Sequence, residues 1–428
     1  MGVFEDMMAQ SSRRPGGLAG ILEGRGQSAI TTRRSTSSTL TSHLWELELV
    51  PPRGLDRLMG AIRNLAKNAL EPNLFFEAEV VQAAWPRLAS LLAPSGCWML
   101  CLWEGAGESR KLRVFMPVRI SRIGLPSKLV LEILAHEYLP TGTPLVDREN
   151  PDEAVETLFR LLADPQLKLP TLFSLPHQRA DGPVMACIDE ALTALGLPSV
   201  VHRKTQRAAL APKEDPSTFL ATSLGKKRLR ELNRKWRRLA EKGPLSFTVA
   251  NTQDDLLNAF EQFLTLELHG WKGRRGTALY NHRKVTAFSR QIVVELCANG
   301  GSEIAVLSHN NRPVAVLILL SGDGWFVPWK IAFDEDYRAF SPGMQIMAKA
   351  TTHLVEKDNL VMADSLAVED HWMMNHIWPD RLSMQNVLVG LTPRSRPAVQ
   401  SAFEASQRQD RVKTTLKSLL RLDKLKKR

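Results

Sequence analysis

The chain has 428 residues, more than one hydrophobic core usually serves, so two domains are expected. Apolar residues make up 44% and charged residues 24%, an ordinary globular composition that argues against a fibrous, low-complexity or disulfide-stapled chain. The net charge of +11 favours anionic partners such as nucleic acid, a membrane surface or a phosphate-bearing cofactor, without choosing among them.

Residues 1–45 are rich in Ser, Thr, Gly and Arg without a sustained period, and read as a disordered basic arm. No compact apolar run precedes a cleavage site there, so no signal peptide is expected. No apolar stretch is long enough to cross a bilayer. A first module follows over 46–212. "HLWELELVPP" alternates like a strand. "GLDRLMGAIRNLAKNAL" puts Leu55, Leu58, Met59, Ile62 and Leu65 on one helical stripe. "AEVVQAAWPRLASLLAPS" is a second helix. "CWMLCLWEG" and "KLRVFMPVRI" read as paired strands around the turn "EGAGESR". Cys97 and Cys101 would then lie roughly 13 Å apart, beyond disulfide reach, and their spacing is not that of a zinc pair. Reduced thiols and a cytoplasmic location are the expectation. "TPLVDRE" leads to the helix "NPDEAVETLFRLLAD", with Asn150 as N-cap and Pro151 in the first turn. "TLFSLP", a helix near 183–196 and "SVVHRKTQRAALAP" close this half.

A second module spans 213–392. "DPSTFLATSLGKKRLRELNRKWRRLAEKGP" is a helical pair, and within it "GKKRLRELNRKWRR" packs eight basic residues around the stripe Leu229, Leu232, Trp236 and Leu239. Such a run is a solvated face, or it binds a cofactor phosphate, an anionic acceptor or RNA. "LSFTVAN" is a strand. Helices follow at "TQDDLLNAFEQFLTLELHG" and "RKVTAFSRQIVVELCANG". Strands 303–308, 313–320 and 325–332 form a meander, a helix covers 341–357, and "LVMADSLA" is a strand. The first half repeats this alternation more loosely, so two related α/β modules are expected, each a mixed, mostly antiparallel sheet flanked by helices. The tail 393–428 is polar and basic. Val412, Leu416, Leu419 and Leu420 lie near one face of a helix, which suits peripheral contact with an anionic inner leaflet or a plain solvated tail.

A three-strand antiparallel meander, a helix opened by a Gly turn and then a parallel strand resemble the core of the GNAT acyltransferase fold. Its cofactor loop resembles Arg338-Ala-Phe-Ser341-Pro-Gly343, with Ser341 in place of the first Gly. "ELHGWKGRRGTAL", "VPWKIAFDEDYRAFSPGMQI", "ADSLAVEDHWMMNHIWPDR", "NLFFEAEVVQAAW" and "PTGTPLVD" together resemble the cellulose-biosynthesis-type acetyltransferases over about 46–390. That is a GNAT subgroup of bacterial exopolysaccharide loci, related to the Fem-type peptidyltransferases. The resemblance implies tandem GNAT-like modules and acetyl-CoA (acyl-CoA) as co-substrate. It also implies transfer to an amine or hydroxyl of a sugar or polysaccharide precursor, near the inner membrane or a polysaccharide synthase. A Fem-like transferase using charged tRNA and an idle binding module are the alternatives. No metal site and no nucleic-acid-binding motif are read.

Unpaired N–H groups at a helix start favour an anion, so Arg338, Ser341, Gly343 and Met344 are the candidate pyrophosphate cradle. A capped helix start, with Ser341 as N-cap, is the plain alternative. Acyl transfer also needs a base, oxyanion donors and a proton for the leaving thiolate. The donors are expected along Trp329, Lys330, Ile331 and Ala332, where Pro328 suits a bulge. Lys330 binds an anion, orients the acceptor, or simply snorkels. Asp364 and Glu267 are candidate bases, and a structural hydrogen bond fits Asp364 as well. The usual thiolate-protonating Tyr is missing near 370, since the chain holds only Tyr138, Tyr280 and Tyr337. His371 or His376 would substitute. Trp271 and Lys272 form an acceptor wall, or Trp271 plugs the core.

Overall fold

The computed structural model describes residues 30–38, 41–88, 96–212 and 215–426. One 14-stranded mixed sheet runs through the molecule. Its strands are β1 Ile30–Ser38, β2 Thr41–Val50, β3 Cys97–Glu104, β4 Lys111–Ile123, β5 Lys128–Ile133, β6 Leu145–Val146, β7 Leu172–Arg179 and β8 Ser199–Leu210. They continue as β9 Leu245–Ala250, β10 Ser302–His309, β11 Arg312–Gly322, β12 Trp325–Phe333, β13 Met362–Asp364 and β14 Asp380–Gly390. The spatial order is β1-β2-β3-β4-β5-β7-β14-β8-β13-β12-β11-β10-β9, with β6 beside β4.

Helices flank both halves. In the first module they are α1 Met59–Lys67, α2 Ala78–Arg87, α3 Pro151–Leu162 and α4 Pro183–Ala194. In the second they are α5 Pro216–Ala240, α6 Gln253–His269, α7 Trp271–Arg274, α8 Arg283–Cys297, α9 Pro342–Val355 and α10 Trp372–Ile377. The long α11 Arg396–Lys426 ends the chain. The stripe read from periodicity holds, because Leu55, Leu58, Met59, Ile62 and Leu65 are all buried. Thr252 caps α6 by accepting from the Asp255 N–H. Trp378 is fully buried and its indole N–H reaches Thr351 Oγ1 at 2.9 Å, so its burial, worth about 2–3 kcal/mol, leaves no orphan donor.

Three elements depart from the sequence reading. Ile30–Ser38 is a strand paired antiparallel with β2, so the arm is shorter than 1–45, and residues 1–29 lie outside the described residues. Residues 380–390 form β14, which inserts between β7 and β8 and joins the modules into one sheet. The division at 212 and 213 is therefore crossed by hydrogen bonding, since β8 pairs with both β13 and β14. The start of the tail is not free: Val399 and Ala402 pack on Val130, Leu172 and Leu388. Val412 is exposed, while the side chains of Leu416, Leu419 and Leu420 lie outside the described residues. Among the described residues no helix is long and apolar enough to cross a membrane.

Candidate active site

The basic helix and the Pro-Gly turn, a hundred residues apart in sequence, face one another across a groove of about 1,040 Å³. Leu224, Leu232, Phe333 and Met344 give it an apolar floor, and Lys226, Lys227, Arg228, Lys235 and Arg338 a cationic rim. Gly225 makes this possible. Its φ of 74° and ψ of 153° interrupt α5, so three consecutive cations leave the kink at the groove mouth. Across the groove, Arg338 is largely exposed and pairs loosely with Glu335 at 3.3 Å.

Ser341 sits in the left-handed region at φ 54°, ψ 55°, and its hydroxyl does not cap α9. Instead it accepts from Lys235 Nζ at 2.9 Å, while Gln345 Nε2 donates to the Leu232 carbonyl at 2.8 Å and locks α9 to α5. The turn thus keeps the backbone shape a Gly would take freely, at a cost of roughly 1–2 kcal/mol. At Gly343 a Cβ would stand 3.3 Å from the Phe333 ring, so the helix start lies tight against β12. Pro342 brings no N–H, and the Gly343 N–H lies at the open end of α9. The first module has a counterpart: Asn150 at φ 52° precedes Pro151 of α3. There the first turn carries Asp152 and Glu153, whose charge repels an anion.

Beneath the groove β12 and β13 part. They pair in parallel only through Trp325–Met362 and Phe326–Ala363. Beyond that point the bulge expected at Pro328 is present: Leu319 faces Pro328 and Ile318 faces Lys330, leaving Trp329 as the extra residue. Ile331 and Phe333 pack toward α9 and the groove. Trp329 packs on the opposite face against Phe288, so its side chain does not line the groove. Its backbone stays at the splay.

On that opposite face Lys330 places its ammonium 5.1 Å above the Tyr138 ring and 5.5 Å from the Trp329 ring. Burial, and then the charge of Lys272, push the amine below the usual lysine range, with Glu137 and Glu267 opposing. Glu267 is buried and fully engaged: Oε1 binds Lys272 Nζ at 2.7 Å and Oε2 accepts from the Leu279 N–H at 2.7 Å. It holds the loop after α6 rather than standing free as a base. Trp271 is 44% exposed, so it does not plug the core; Arg275 stacks on its ring.

Asp364, at the end of β13, is likewise committed. Oδ2 pairs with the buried Arg207 at 3.1 Å and Oδ1 accepts from the Leu366 N–H at 2.8 Å. A carboxylate held this way is a strut, and the reading of Asp364 as a base loses its footing. His371 borders the groove, but its Nδ1 accepts from the Met374 N–H at 3.2 Å. That bond occupies Nδ1 as an acceptor and leaves Nε2 as the ring's donor. His376 is turned to the Trp372 carbonyl at 2.6 Å.

Arg338, Ser341, Gly343 and Met344 are therefore brought together, with Ile331 below them, and Trp271, Lys272, Glu267 and Lys330 gather on the far face. The sequence reading missed Lys235 and Phe333 as groove residues, and Tyr138 as a neighbour of Lys330. Lys235 sits within the basic run. Nothing local marks Tyr138, because its contact spans the two modules. Among the described residues no cluster of His, Cys, Asp and Glu is arranged to hold a metal ion.

A meander whose last strand splays from a parallel neighbour, with a helix start beside the notch, is the architecture of GNAT-type acyltransferases. Residues 226–372 match a family model described as an acetyltransferase (GNAT) domain. Among solved structures the chain is similar to FemX, at 11% identity and a TM-score of 0.50, covering 81% of this chain and 98% of that one. It is also similar to a C-terminal domain (DUF2156) of a proposed lysylphosphatidylglycerol synthetase from Agrobacterium fabrum, at 13% identity and TM-score 0.48, covering 81% and 96%. A tandem GNAT protein from the clavulanic acid biosynthesis pathway aligns at 11% identity and TM-score 0.37, covering 80% and 98%. At such identities the likeness is one of fold. No curated protein matches the chain significantly.

Proposed function

We propose that the protein is an acyl-CoA-dependent acyltransferase, transferring an acetyl group to an amine or hydroxyl of a sugar or polysaccharide precursor. One observation carries this reading: a cationic groove with an apolar floor lies at the helix α9 start, walled by Phe333 at the end of β12, the strand that has parted from β13. Its volume reaches the upper end of small-molecule sites, about 300–1,000 Å³, which suits an elongated ligand. Arg338, Lys235 and the Gly343 N–H would hold a pyrophosphate. Lys226, Lys227 and Arg228 would meet a further phosphate. Leu232, Phe333 and Met344 would flank an uncharged arm.

When bound, the cofactor supplies an activated thioester. The chain's own groups do the rest. The bulge at Trp329 frees backbone N–H groups to receive an oxyanion. Lys330, whose ammonium is disfavoured, accepts the acceptor's proton. Trp271 offers an exposed ring face for stacking on a sugar. The subtype, a cellulose- or exopolysaccharide-biosynthesis acetyltransferase working in the cytoplasm beside the inner membrane, rests on the sequence resemblance and the basic tail.

Calorimetric titration with acetyl-CoA tests the reading, with Gly343→Glu run alongside. Binding that the added carboxylate abolishes supports it. Binding unaffected by the substitution moves the site elsewhere. No binding to the wild type removes the acyl-CoA reading and favours a charged-tRNA donor, which the exposed Arg230, Arg237 and Arg238 beyond the groove would suit.

A further inference from the structure

Lys330 makes no hydrogen bond or ion pair among the described residues. Its amine lies 5.1 Å from the centroid of the Tyr138 ring and 5.5 Å from that of Trp329. Two more polar atoms close by are orphaned: Trp329 Nε1, on a side chain only 6% exposed, and Nδ1 of His136, whose ring lies 5.3 Å from that of Tyr138. Buried polar atoms without partners are rare, and these two beside Lys330 mark a place where a ligand or water would complete the bonding.

Tyr138 comes from the first module, yet it is 7% exposed and closes over a second-module lysine. The segment that carries it is pinned. His136 and Leu139 exchange backbone hydrogen bonds at 3.0 and 2.9 Å. The Leu134 N–H donates to the Pro117 carbonyl at 2.9 Å, and Gln178 Nε2 donates to the Gly142 carbonyl at 2.8 Å. A connection between strands held from both ends holds its aromatic ring in a fixed place.

We propose that Tyr138 is a positioning residue of the transfer reaction, and that the first module completes the acceptor side of the catalytic centre by covering Lys330. The inference rests on the acyl-transfer reading. Its ring excludes water from the amine, which disfavours the ammonium. Its π face favours the ammonium and works against this. Burial and Lys272 of the second module lower the amine, while Glu137 of the first module and Glu267 of the second oppose them; the sign of the shift on removing the ring decides which of its two effects is larger. Burial also pushes the His136 imidazole below its usual range, with Glu137 opposing. As the acceptor's nitrogen or oxygen bonds to the acyl carbon, its proton passes to Lys330 Nζ. The carbon–sulfur bond then breaks, and the ammonium returns the proton to the thiolate. Without the ring, the Lys330 amine is hydrated and holds its proton to a higher pH.

The test uses full-length protein with [13Cε]lysine, titrated by NMR, with Lys330→Arg to assign the resonance. Lys330 is expected to titrate below the other lysines. Tyr138→Ala should move its midpoint upward by about one pH unit, and Tyr138→Phe should restore it. Acceptor-free thiol release from acetyl-CoA is followed over the same pH range, and its rising limb should shift with the NMR midpoint. Acetyl-CoA calorimetry should be the same for the wild type, Tyr138→Ala and Tyr138→Phe. Coincident midpoints in wild type and Tyr138→Ala overturn the proposal, as does a rate limb that stays put while the midpoint moves. If the wild type neither binds acetyl-CoA nor releases thiol, the catalytic claim falls with the acyl-transfer reading, while the titration still decides the Lys330–Tyr138 contact.

Discussion

Asp364 separates two accounts of the site, and Arg207 makes the difference measurable. The pair spans adjacent strands, 3.1 Å apart, with side chains 9% and 7% exposed. Asp364→Asn keeps the shape and the acceptor for Leu366, but leaves the Arg207 guanidinium buried without its counter-charge. The other contacts of Arg207, to the Pro140 carbonyl and to His177 Nδ1, are both 3.4 Å and do not compensate. Removing one partner of a buried pair costs about 3–5 kcal/mol. Through the usual 2–4 °C per kcal/mol for large domains, that is a loss of roughly 6–20 °C in melting temperature. Arg207→Met should cost as much. The double variant Arg207→Met/Asp364→Leu should recover most of it, giving a coupling of about 2 kcal/mol or more. Thermal melts by circular dichroism provide the cycle, and thiol release from acetyl-CoA is measured on the folded fraction. An Asp364→Asn protein that melts like the wild type yet has lost thiol release would refute this reasoning and restore Asp364 as the base.

Three further outcomes follow from the structure. If Lys226, Lys227 and Arg228 meet a second phosphate, dephospho-CoA should bind about tenfold more weakly than CoA, and added salt should narrow the gap; equal calorimetric affinities would remove those cations from the site. Burial, aided by Glu79 and Asp323, pushes the Glu77 carboxyl up to about 8, and burial pushes Glu71 up to about 7. Their folded forms keep protons that the unfolded chain sheds above about pH 4.5, so stability should fall as pH rises through that window, by up to about 1.4 kcal/mol per unit per group. Glu77→Gln should flatten the fall in urea melts taken from pH 5 to 9. Gly124 has a φ of +79°, and a Cβ there would sit 2.5 Å from the Ala405 Cβ. Gly124→Ala should therefore loosen α11, detected as faster proteolysis after residue 396.

Much of this site was legible locally. Periodicity placed α6, α8 and α9, and the run from 302 to 333 announced three strands because its apolar stretches are broken by Asn-Asn and Asp-Gly turns. Pro328 marked the bulge, since a proline cannot continue a ladder. What could not be read was position. That the basic helix faces the Ser341 turn depends on Gln345 reaching Leu232, a contact with no local signature. The engagement of Asp364 and Glu267 depends on Arg207 and on the Leu279 N–H, each far along the chain or on the backbone. Residue type suggested two candidate bases, with a structural hydrogen bond as the other reading of Asp364; packing engages both as struts.

The placement of β14 has a consequence for how the chain is made. β7 and β8 leave the ribosome early, but the strand that fills the space between them is roughly 170 residues further on, about 10–30 s of synthesis. Until then both edges of that slot have unpaired N–H and C=O groups that any extended segment can occupy. The nascent first module must stay open and wait for its last strand. A chain interrupted before residue 380 would be left with a sticky, incomplete sheet rather than a finished first half.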